Sequence, residues 1–338
     1  MQVTRILLRA PNWVGDTAVA TPAMRAIRAK FPGAEITVMV RPSAKGIFAA
    51  ANFIDHVWAE PRPAGIADWW RLTSEVRRKR FDLAVIFPNS FESAAMTFLG
   101  RIRQRVGYSM DGRGWLLTHR VKGEKRKVHH VDYYLELAKA AGADVSEPVM
   151  QIQARLEDRT TARKLLAAEG IALNARFMVL SPGAAFGAAK RWGDRQFAEA
   201  ADRLAKDFQL SVVLIGSEGE RSISESIRSF MKTPAVVLNG KTSMETLIGL
   251  IAESALMLGN DSGPVHLSSA LGIPTVAVFG ATDFKVAAPY GPLGREVHHQ
   301  VECSPCWLRE CPIDHRCMTR VLPETVCNAA REVLQHAS

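Results

Sequence analysis

Short apolar runs alternate with amphipathic stretches along most of the chain. Arg5–Arg9, Phe81–Phe87 and Thr275–Phe279 have the length and the content of large apolar residues that are typical of buried strands. Between such runs, stretches like Thr17–Phe31 place apolar residues at helical spacing and end at a Pro-Gly pair. Strands that alternate with helices predict a doubly wound parallel sheet.

This alternation begins twice, and the stretch Ala143–Arg155 between the two series is less regular. A chain of 338 residues also exceeds the size of one ordinary core. We therefore predict an α/β protein with two Rossmann-like doubly wound domains, residues 1–155 and 156–322, facing a central cleft. Residues 323–338 are expected to form a C-terminal helix that packs back toward the N-terminal domain.

The composition describes a globular protein, with 47% hydrophobic and 23% charged residues. The sequence contains no run of eighteen apolar residues, so we expect no membrane span. Its N-terminus enters a predicted strand at once, without the apolar core and cleavage site of a secretory signal. We expect a cytoplasmic protein.

The net charge of +9 is concentrated in one part of the chain. Between Arg71 and Lys127 there are 14 Lys and Arg residues against 5 Asp and Glu, an excess equal to that of the whole chain. A local basic excess indicates a partner with phosphates or acidic sugars, or an anionic membrane surface. Nucleic acid is not predicted, because the region has no recognisable binding motif and few interleaved aromatic residues.

The stretch Asn260–His266 follows one apolar run and precedes a predicted helix and strand. Gly263 lets the chain approach a ligand closely, and Ser262 can cap the helix, so backbone N–H groups would point at an anion. Asp261 and His266 would lie at the mouth of the sheet, where α/β proteins bind ligands. The alternative is an ordinary turn whose aspartate caps its helix.

Three other turns after predicted strands carry candidate chemistry. Asp16 could act as a general base toward a hydroxyl, or could merely cap the helix that begins at Thr17. Lys190 ends a loop of small residues and could neutralise a diphosphate. Glu220 could accept from a ribose hydroxyl, although an acidic residue in the first turn of a helix needs no ligand.

Several motifs, in this order along the chain, resemble those of the heptosyltransferase family of lipopolysaccharide core assembly: Gly15-Asp16 with Thr21-Pro22, Lys190-Arg191-Trp192, Gly216-Ser217, and Asp261-Ser262-Gly263-Pro264 with His266. Three further segments resemble the type II branch of that family: Pro11–Asp16, Pro88-Asn89-Ser90-Phe91-x-Ser93 and Arg105–Tyr108. The resemblance extends over nearly the full chain.

The resemblance implies a GT-B glycosyltransferase that needs no cofactor for catalysis. It would transfer heptose, with inversion, from ADP-heptose to the first heptose of the lipopolysaccharide inner core, with Asp16 as the base. The residues that it implies for the donor are Lys190, Glu220, Thr242, Asp261, Ser262, Gly263 and His266. The acceptor candidates are Asn12, Asn89, Ser90, Arg105 and Arg113.

The implied acceptor is a phosphorylated or acidic glycolipid, lipid A–Kdo–heptose, at the anionic inner-membrane surface. The protein would then be peripheral to that membrane. Two alternatives stay open. One is another core heptosyltransferase step, type I or III, or a different nucleotide-sugar transferase of the same fold. The other is a non-catalytic protein that binds nucleic acid or an anionic surface.

Four cysteines lie close together near the end of the second domain: Cys303, Cys306, Cys311 and Cys317. Four soft ligands within fifteen residues could close a structural zinc site. Their spacing lacks the long gap of ribbon-type zinc sites, and free buried thiols are the alternative.

Overall fold

The computed structural model describes residues 3–123 and 127–337. The chain forms two compact units, Met1–Ile152 and Gln153–Ser338, which divide just before the predicted boundary. Lys125 and Arg126, which contribute to the basic excess of the sequence, lie outside the described residues.

The first unit is built on a six-stranded parallel sheet. Its strands are β1 (Arg5–Arg9), β2 (Glu35–Val40), β3 (His56–Ala59), β4 (Leu83–Ile86), β5 (Gln104–Tyr108) and β6 (His119–Val121). Its helices are α1 (Val14–Val19), α2 (Thr21–Lys30), α3 (Ile66–Lys79), α4 (Phe91–Leu99) and α5 (His130–Ala140), with 3-10 turns at Pro42–Phe48 and Gly114–Leu116. The strand order is β3-β2-β1-β4-β5-β6.

The second unit repeats this plan. Its strands are β7 (Phe177–Ser181), β8 (Ser211–Leu214), β9 (Ala235–Val237), β10 (Leu256–Asn260), β11 (Thr275–Phe279) and β12 (Gly294–His298). Its helices are α6 (Leu156–Ala168), α7 (Asp194–Phe208), α8 (Arg221–Phe230), α9 (Met244–Ala252), α10 (Gly263–Ala270), α11 (Phe284–Ala287), α12 (Arg316–Thr319) and α13 (Pro323–His336), with 3-10 turns at Ala188–Lys190 and Glu218–Glu220. The strand order is β12-β11-β10-β7-β8-β9.

Both orders place the first strand of a unit beside its fourth. In the second unit, Leu258 of β10 pairs in parallel with Leu180 of β7 on one side and Val276 of β11 on the other. Strands β10 and β11 are buried along their whole length, as expected where helices cover both faces of a parallel sheet. The direction of winding reverses between β1 and β4 and between β7 and β10, and such switch points leave a crevice at the carboxyl ends of the strands.

The predicted helix Thr17–Phe31 is in fact two helices, α1 and α2. Pro22 lies in the first turn of α2, where its missing N–H interrupts the ladder of the preceding helix. The Thr21 hydroxyl donates to the Ala18 carbonyl at 2.7 Å and closes the end of α1. Because α1 begins at Val14, Asp16 lies inside its first turn.

The segment Arg105–Tyr108 lies in β5, inside the sheet, because β4 and β6 both pair with that strand in parallel. Helix α13 packs on α7, β11 and β12 of the second unit. Its packing toward the N-terminal domain stays a prediction. Its buried residues Val326, Ala330 and Val333 join the core around Phe197, so its apolar face is taken up there.

Within residues 3–123 and 127–337, no helix has the length and the apolar content that a membrane crossing requires.

Candidate active site

Asp261 is the centre of a buried polar cluster at the end of β10. Its carboxylate accepts from the Lys190 ammonium at 2.5 Å and from the Thr282 hydroxyl at 2.6 Å. His266 Nε2 lies 3.6 Å from the other oxygen. Burial would raise the pKa of Asp261, but the hydrogen bond from His266 and the charge of Lys190 outweigh burial and hold that pKa well below its usual range.

The start of α10 lies beside this cluster. Ser262 occupies the N-cap position in an extended conformation, and Gly263 is the first helical residue. The first amide groups of a helix carry a partial positive charge and favour an anion. Together with Lys190, whose ammonium also lies 5.1 Å from the Phe186 ring centroid, the helix end forms a site suited to phosphate.

Asn260 connects the two loops that flank the second switch point. It is fully buried, its Nδ2 donates to the Pro182 carbonyl at 2.6 Å, and its Oδ1 accepts from the Trp192 amide at 2.9 Å. Both partners belong to the loop after β7 that carries Lys190. The position of Lys190 is therefore tied to the end of β10 by the backbone as well as by its ion pair.

Glu220 and Thr242 lie farther along the same edge. Glu220 Oε2 accepts from the Ser217 amide at 2.9 Å and from its hydroxyl at 2.7 Å, forming a capping box at the turn after β8. Its Oε1 approaches Gly183 so closely that a Cβ there would lie 2.2 Å away. Thr242 is half-buried in the loop between β9 and α9. Glu220 thus takes part in a capping box, and its ribose role stays a prediction.

The cysteine-rich segment, residues 303–317, holds the turn that carries Thr282. The Ser304 hydroxyl donates to the Gly280 carbonyl at 2.6 Å. The Trp307 amide donates to the Ala281 carbonyl at 2.8 Å. These two bonds fix the residues immediately before Thr282.

The same segment holds the turn that carries Lys190. Ala189 donates its amide to the Arg309 carbonyl at 2.9 Å, and its own carbonyl lies 2.9 Å from His315 Nε2. Gly187 has a φ of 158°, and a Cβ there would lie 2.3 Å from the Arg309 carbonyl oxygen. The segment therefore braces both turns whose side chains contact Asp261.

The four cysteines of this segment surround one small cavity of about 20 Å³, together with His315. They do not form the predicted set of buried thiols, because Cys303 is exposed and only Cys317 is buried among them. Burial and the neighbouring cysteines raise the pKa of Cys317 to about 11. Among the described residues, no three His, Cys, Asp or Glu side chains are arranged to hold a metal ion, so the zinc interpretation gains no support.

Asp16 lies at the first switch point, in the first turn of α1. Trp13 is the N-cap of that helix, so Asp16 is not its cap. The carboxylate is half-buried and hydrogen-bonds the Tyr134 hydroxyl. Burial raises the pKa of Tyr134 well above its ordinary value, and the charge of Asp16 adds to that shift. Tyr134 is therefore a neutral donor that orients the carboxylate.

A cavity of about 400 Å³ lies at the same edge of the first sheet. Asn12 and Ser90, both predicted acceptor residues, line it. Arg9 lines it as well, donating to the Ala10 carbonyl at 2.6 Å and to Asn12 Oδ1 at 2.8 Å. Burial and the nearby Arg41 lower the pKa of Arg9 to about 10, which leaves it cationic near neutral pH.

The cavity carries an excess of positive charge. Arg41 and Arg62 join Arg9 in its lining, where Glu60 and Glu92 supply the carboxylates. Glu60 is paired with Arg71 at 2.7 Å. Such an arrangement favours an anionic ligand.

Arg113 and Arg105 both donate hydrogen bonds to backbone carbonyls of the first unit. Arg113 is fully buried and donates to the carbonyls of Tyr108, Pro88 and Ser90 at 2.8, 2.5 and 3.0 Å. Arg105 donates to the Leu116 carbonyl at 2.6 Å and packs over the Phe98 ring. Both guanidinium groups hold loops of the first unit together, and their acceptor roles stay predictions.

The Asn89 side chain contacts both Tyr133 and Arg113. Its Nδ2 donates to the Tyr133 hydroxyl at 2.8 Å, and its Oδ1 accepts from Arg113 at 3.3 Å. Its amide therefore orders the loop after β4 beside the cavity.

Sequence reasoning missed five residues of these two sites: Arg9, Arg41, Arg62, Tyr134 and Thr282. Arg9 ends β1, Arg41 follows β2 and Arg62 follows β3. Their positions at the ends of strands could have indicated that they share one edge of the sheet. Tyr134 lies on the buried face of α5, where its pattern is that of a core residue. Thr282 follows β11 and was found only through its contact with Asp261.

Comparison with known proteins gives a consistent family. The matching family model describes glycosyltransferase family 9 (heptosyltransferase) and covers residues 69–317. Lipopolysaccharide heptosyltransferase 2 of Salmonella typhimurium is 31% identical over 82% of each chain. Lipooligosaccharide heptosyltransferase 2 of Campylobacter jejuni is 27% identical over 98% of this chain and 99% of its own.

A solved structure has the same fold over the whole chain. It is described as the ADP-heptose lipopolysaccharide heptosyltransferase II of Escherichia coli, with a TM-score of 0.84, 25% identity and 99% of both chains covered. The likeness confirms the predicted GT-B class with its two Rossmann-like domains.

Proposed function

The chain belongs to glycosyltransferase family 9, and from that premise we propose that it transfers L-glycero-D-manno-heptose from ADP-heptose to the first heptose of the lipopolysaccharide inner core. Two relatives that match 98% and 82% of the chain are named lipooligosaccharide and lipopolysaccharide heptosyltransferase 2. The observation that carries the proposal is the Lys190–Asp261 pair at the start of α10, because a departing diphosphate needs fixed positive charge.

The donor occupies the carboxyl edge of the second sheet. Its diphosphate binds the Lys190 ammonium and the backbone amide groups near Ser262 and Gly263. His266 and Asp261 lie close by. Glu220 and Thr242 hold the ribose and adenine end. The support for Glu220 is its position against Gly183, where the missing side chain leaves Oε1 facing the loop after β7.

The acceptor occupies the cavity of the first unit, and Asp16 is the general base. The acceptor hydroxyl loses its proton to the Asp16 carboxylate, and its oxygen bonds to the anomeric carbon as the bond to ADP breaks. This single displacement inverts the anomeric configuration. Charge grows on the diphosphate oxygen that leaves, and Lys190 with the start of α10 stabilises it.

The basic lining of the cavity selects an acidic acceptor. The phosphates or carboxylates of a lipid A–Kdo–heptose glycolipid bind to Arg9, Arg41 and Arg62. Asn12 and Ser90 contribute hydrogen bonds. The protein works at the anionic surface of the inner membrane as a peripheral enzyme without a cofactor. We propose no nucleic-acid partner.

The test is release of ADP from ADP-heptose with heptosyl-Kdo2-lipid A, with Kdo2-lipid A and without an acceptor. We expect release with heptosyl-Kdo2-lipid A and background release without an acceptor. Release with Kdo2-lipid A but not with heptosyl-Kdo2-lipid A would assign the enzyme to the type I step and contradict the proposed step. Tight ADP binding without release with any acceptor would contradict the proposed substrate.

A further inference from the structure

An exposed aromatic patch lies on the first unit, formed by Phe91, Phe98 and Leu99 of α4 and by Trp115. Trp115 is 60% exposed, Phe91 47% and Phe98 40%. The ring centroid of Trp115 lies 6.3 Å from that of Phe91 and 5.9 Å from that of Phe98. Single exposed apolar residues are ordinary, but a contiguous group of aromatic rings indicates an interaction surface.

Basic groups border this patch. Arg101 and Arg103 follow α4 and are exposed, and the Arg105 guanidinium lies 5.3 Å from the Phe98 ring centroid. The end of α3, with Arg77, Arg78 and Lys79, lies beside the end of α4, since a Cβ on Gly100 would lie 2.7 Å from Val76 Cγ1. The acidic residue of α4 is Glu92, which lines the cavity.

Helix α4 separates the patch from the acceptor cavity. Glu92, Ser93 and Met96 line the cavity, and helical spacing places Phe91 and Phe98 on the opposite face. A helix with its side chains is about 10 Å across. A sugar in the cavity and a lipid at the patch are therefore one helix diameter apart.

We propose that the aromatic patch docks the protein on an anionic lipid bilayer, so that the glycolipid acceptor enters the cavity past α4. This rests on the proposed function, which requires an acceptor in a membrane. Tryptophan and phenylalanine favour the interfacial region of a bilayer, and each nearby arginine adds attraction to anionic headgroups. A bilayer is the occupant that matches aromatic rings with a basic border, whereas a protein partner would need acidic residues.

The experiment is co-sedimentation of the full chain with vesicles of phosphatidylcholine alone or mixed with phosphatidylglycerol, without acceptor or donor. We expect binding to the anionic vesicles, reduced about tenfold in Trp115→Ser and about fivefold in Arg101→Gln. Leu173→Ser is the matched control, since Leu173 of the second unit is 62% exposed and should leave binding unchanged. Phe91→Ser provides a second patch variant if Trp115→Ser melts at a lower temperature.

Equal binding of the wild type, Trp115→Ser and Phe91→Ser would overturn the proposal. A change of oligomeric state in Trp115→Ser, seen by analytical ultracentrifugation, would assign the patch to a second copy of the chain and also overturn it. A deacylated acceptor separates the two proposals. If the proposed function holds, patch variants use it at the wild-type rate. If the wild type uses neither the deacylated acceptor nor the lipid-anchored one, the proposed function is contradicted. Vesicle binding then still tests whether the patch docks on a bilayer.

Discussion

The two sheets have the same strand order, but the charged residues at their carboxyl edges are arranged differently. In the second unit, Lys190 is paired with Asp261 within a buried cluster. In the first unit, Arg9, Arg41 and Arg62 line an open cavity with more positive than negative charge. A common fold therefore supplies the place for a ligand, and the residues at the strand ends decide what kind of ligand binds.

The difference also separates two ways of holding a charge. The Lys190–Asp261 pair is braced by hydrogen bonds from the cysteine-rich segment and by Asn260. The arginines of the cavity keep donors for a ligand, apart from those that Arg9 uses within its own loop and the one that Arg41 donates to the Glu60 carbonyl at 3.4 Å. We therefore expect variants at the second edge to affect stability and donor binding together, and variants at the first edge to affect acceptor use alone.

The largest effect is expected for Asp16→Asn. Loss of the general base should lower kcat by about a thousandfold, while ADP affinity, which belongs to the other unit, stays unchanged. The measurement is ADP release at saturating substrates, with calorimetry for ADP binding. Asp132→Asn is the matched control, because Asp132 also lies in the first turn of a helix, α5, and is exposed. Wild-type turnover in Asp16→Asn would exclude Asp16 as the base.

The next effect is expected for Lys190→Met, which leaves the Asp261 carboxylate buried without its cation. Removing one partner of a buried pair costs about 3 kcal/mol or more in the free energy of unfolding. The double variant Lys190→Met/Asp261→Asn should recover most of that loss in denaturant unfolding, yet still bind ADP weakly. Recovery of ADP affinity in the double variant would show that Lys190 only balances Asp261.

The pH dependence of the free energy of unfolding tests the Lys190–Asp261 pair independently. The pKa of Asp261 is lower in the folded protein than in an unfolded chain, so its ionised form stabilises the fold. That contribution is complete above the ordinary carboxyl pKa of about 4 and is lost as the pH falls below it. Asp261→Asn should therefore show a shallower fall in unfolding free energy on acidification than the wild type. A parallel fall in both proteins would contradict the depressed pKa.

A pair of arginine variants tests the comparison within the first unit. Arg113→Gln removes buried hydrogen bonds to three carbonyls and should destabilise the fold by about 2 kcal/mol. Arg62→Gln should leave the melting temperature unchanged and raise the KM for the acceptor about tenfold. Steady-state kinetics on variants that remain folded would separate the two, and an unchanged acceptor KM in Arg62→Gln would remove Arg62 from the acceptor site.

The second edge was predictable from the sequence because its chemistry is local. Asp261 and His266 share one turn, and Lys190 stands at the end of a loop whose small residues are visible in the sequence. The two sheets and their division were predictable for a similar reason, since apolar runs and turn residues recur with a regular alternation.

The first edge was not predictable in the same way. Arg9, Arg41 and Arg62 are 53 residues apart from first to last and meet only because β1, β2 and β3 are neighbours in the sheet. The hydrogen bonds of Arg113 were not predictable either, because its guanidinium donates to the carbonyls of Pro88 and Ser90, which are 25 and 23 residues away in the sequence. An amphipathic pattern predicts that α13 has a partner without showing which one, and the structure shows that α7, β11 and β12 are partners.

The smallest effect is expected for Ser304→Ala, which tests whether the cysteine-rich segment positions the donor site. The lost bond to the Gly280 carbonyl is worth about 1 kcal/mol, and it acts on Thr282 through the backbone of its turn. We expect a rise of about threefold in the KM for ADP-heptose, with kcat and the acceptor KM unchanged. Ser229→Ala, which removes an exposed hydroxyl bond within the second unit, should leave all three unchanged. If Ser304→Ala lowers only the melting temperature, the segment supports the fold without positioning Thr282, and the second edge owes its order to Lys190 and Asn260.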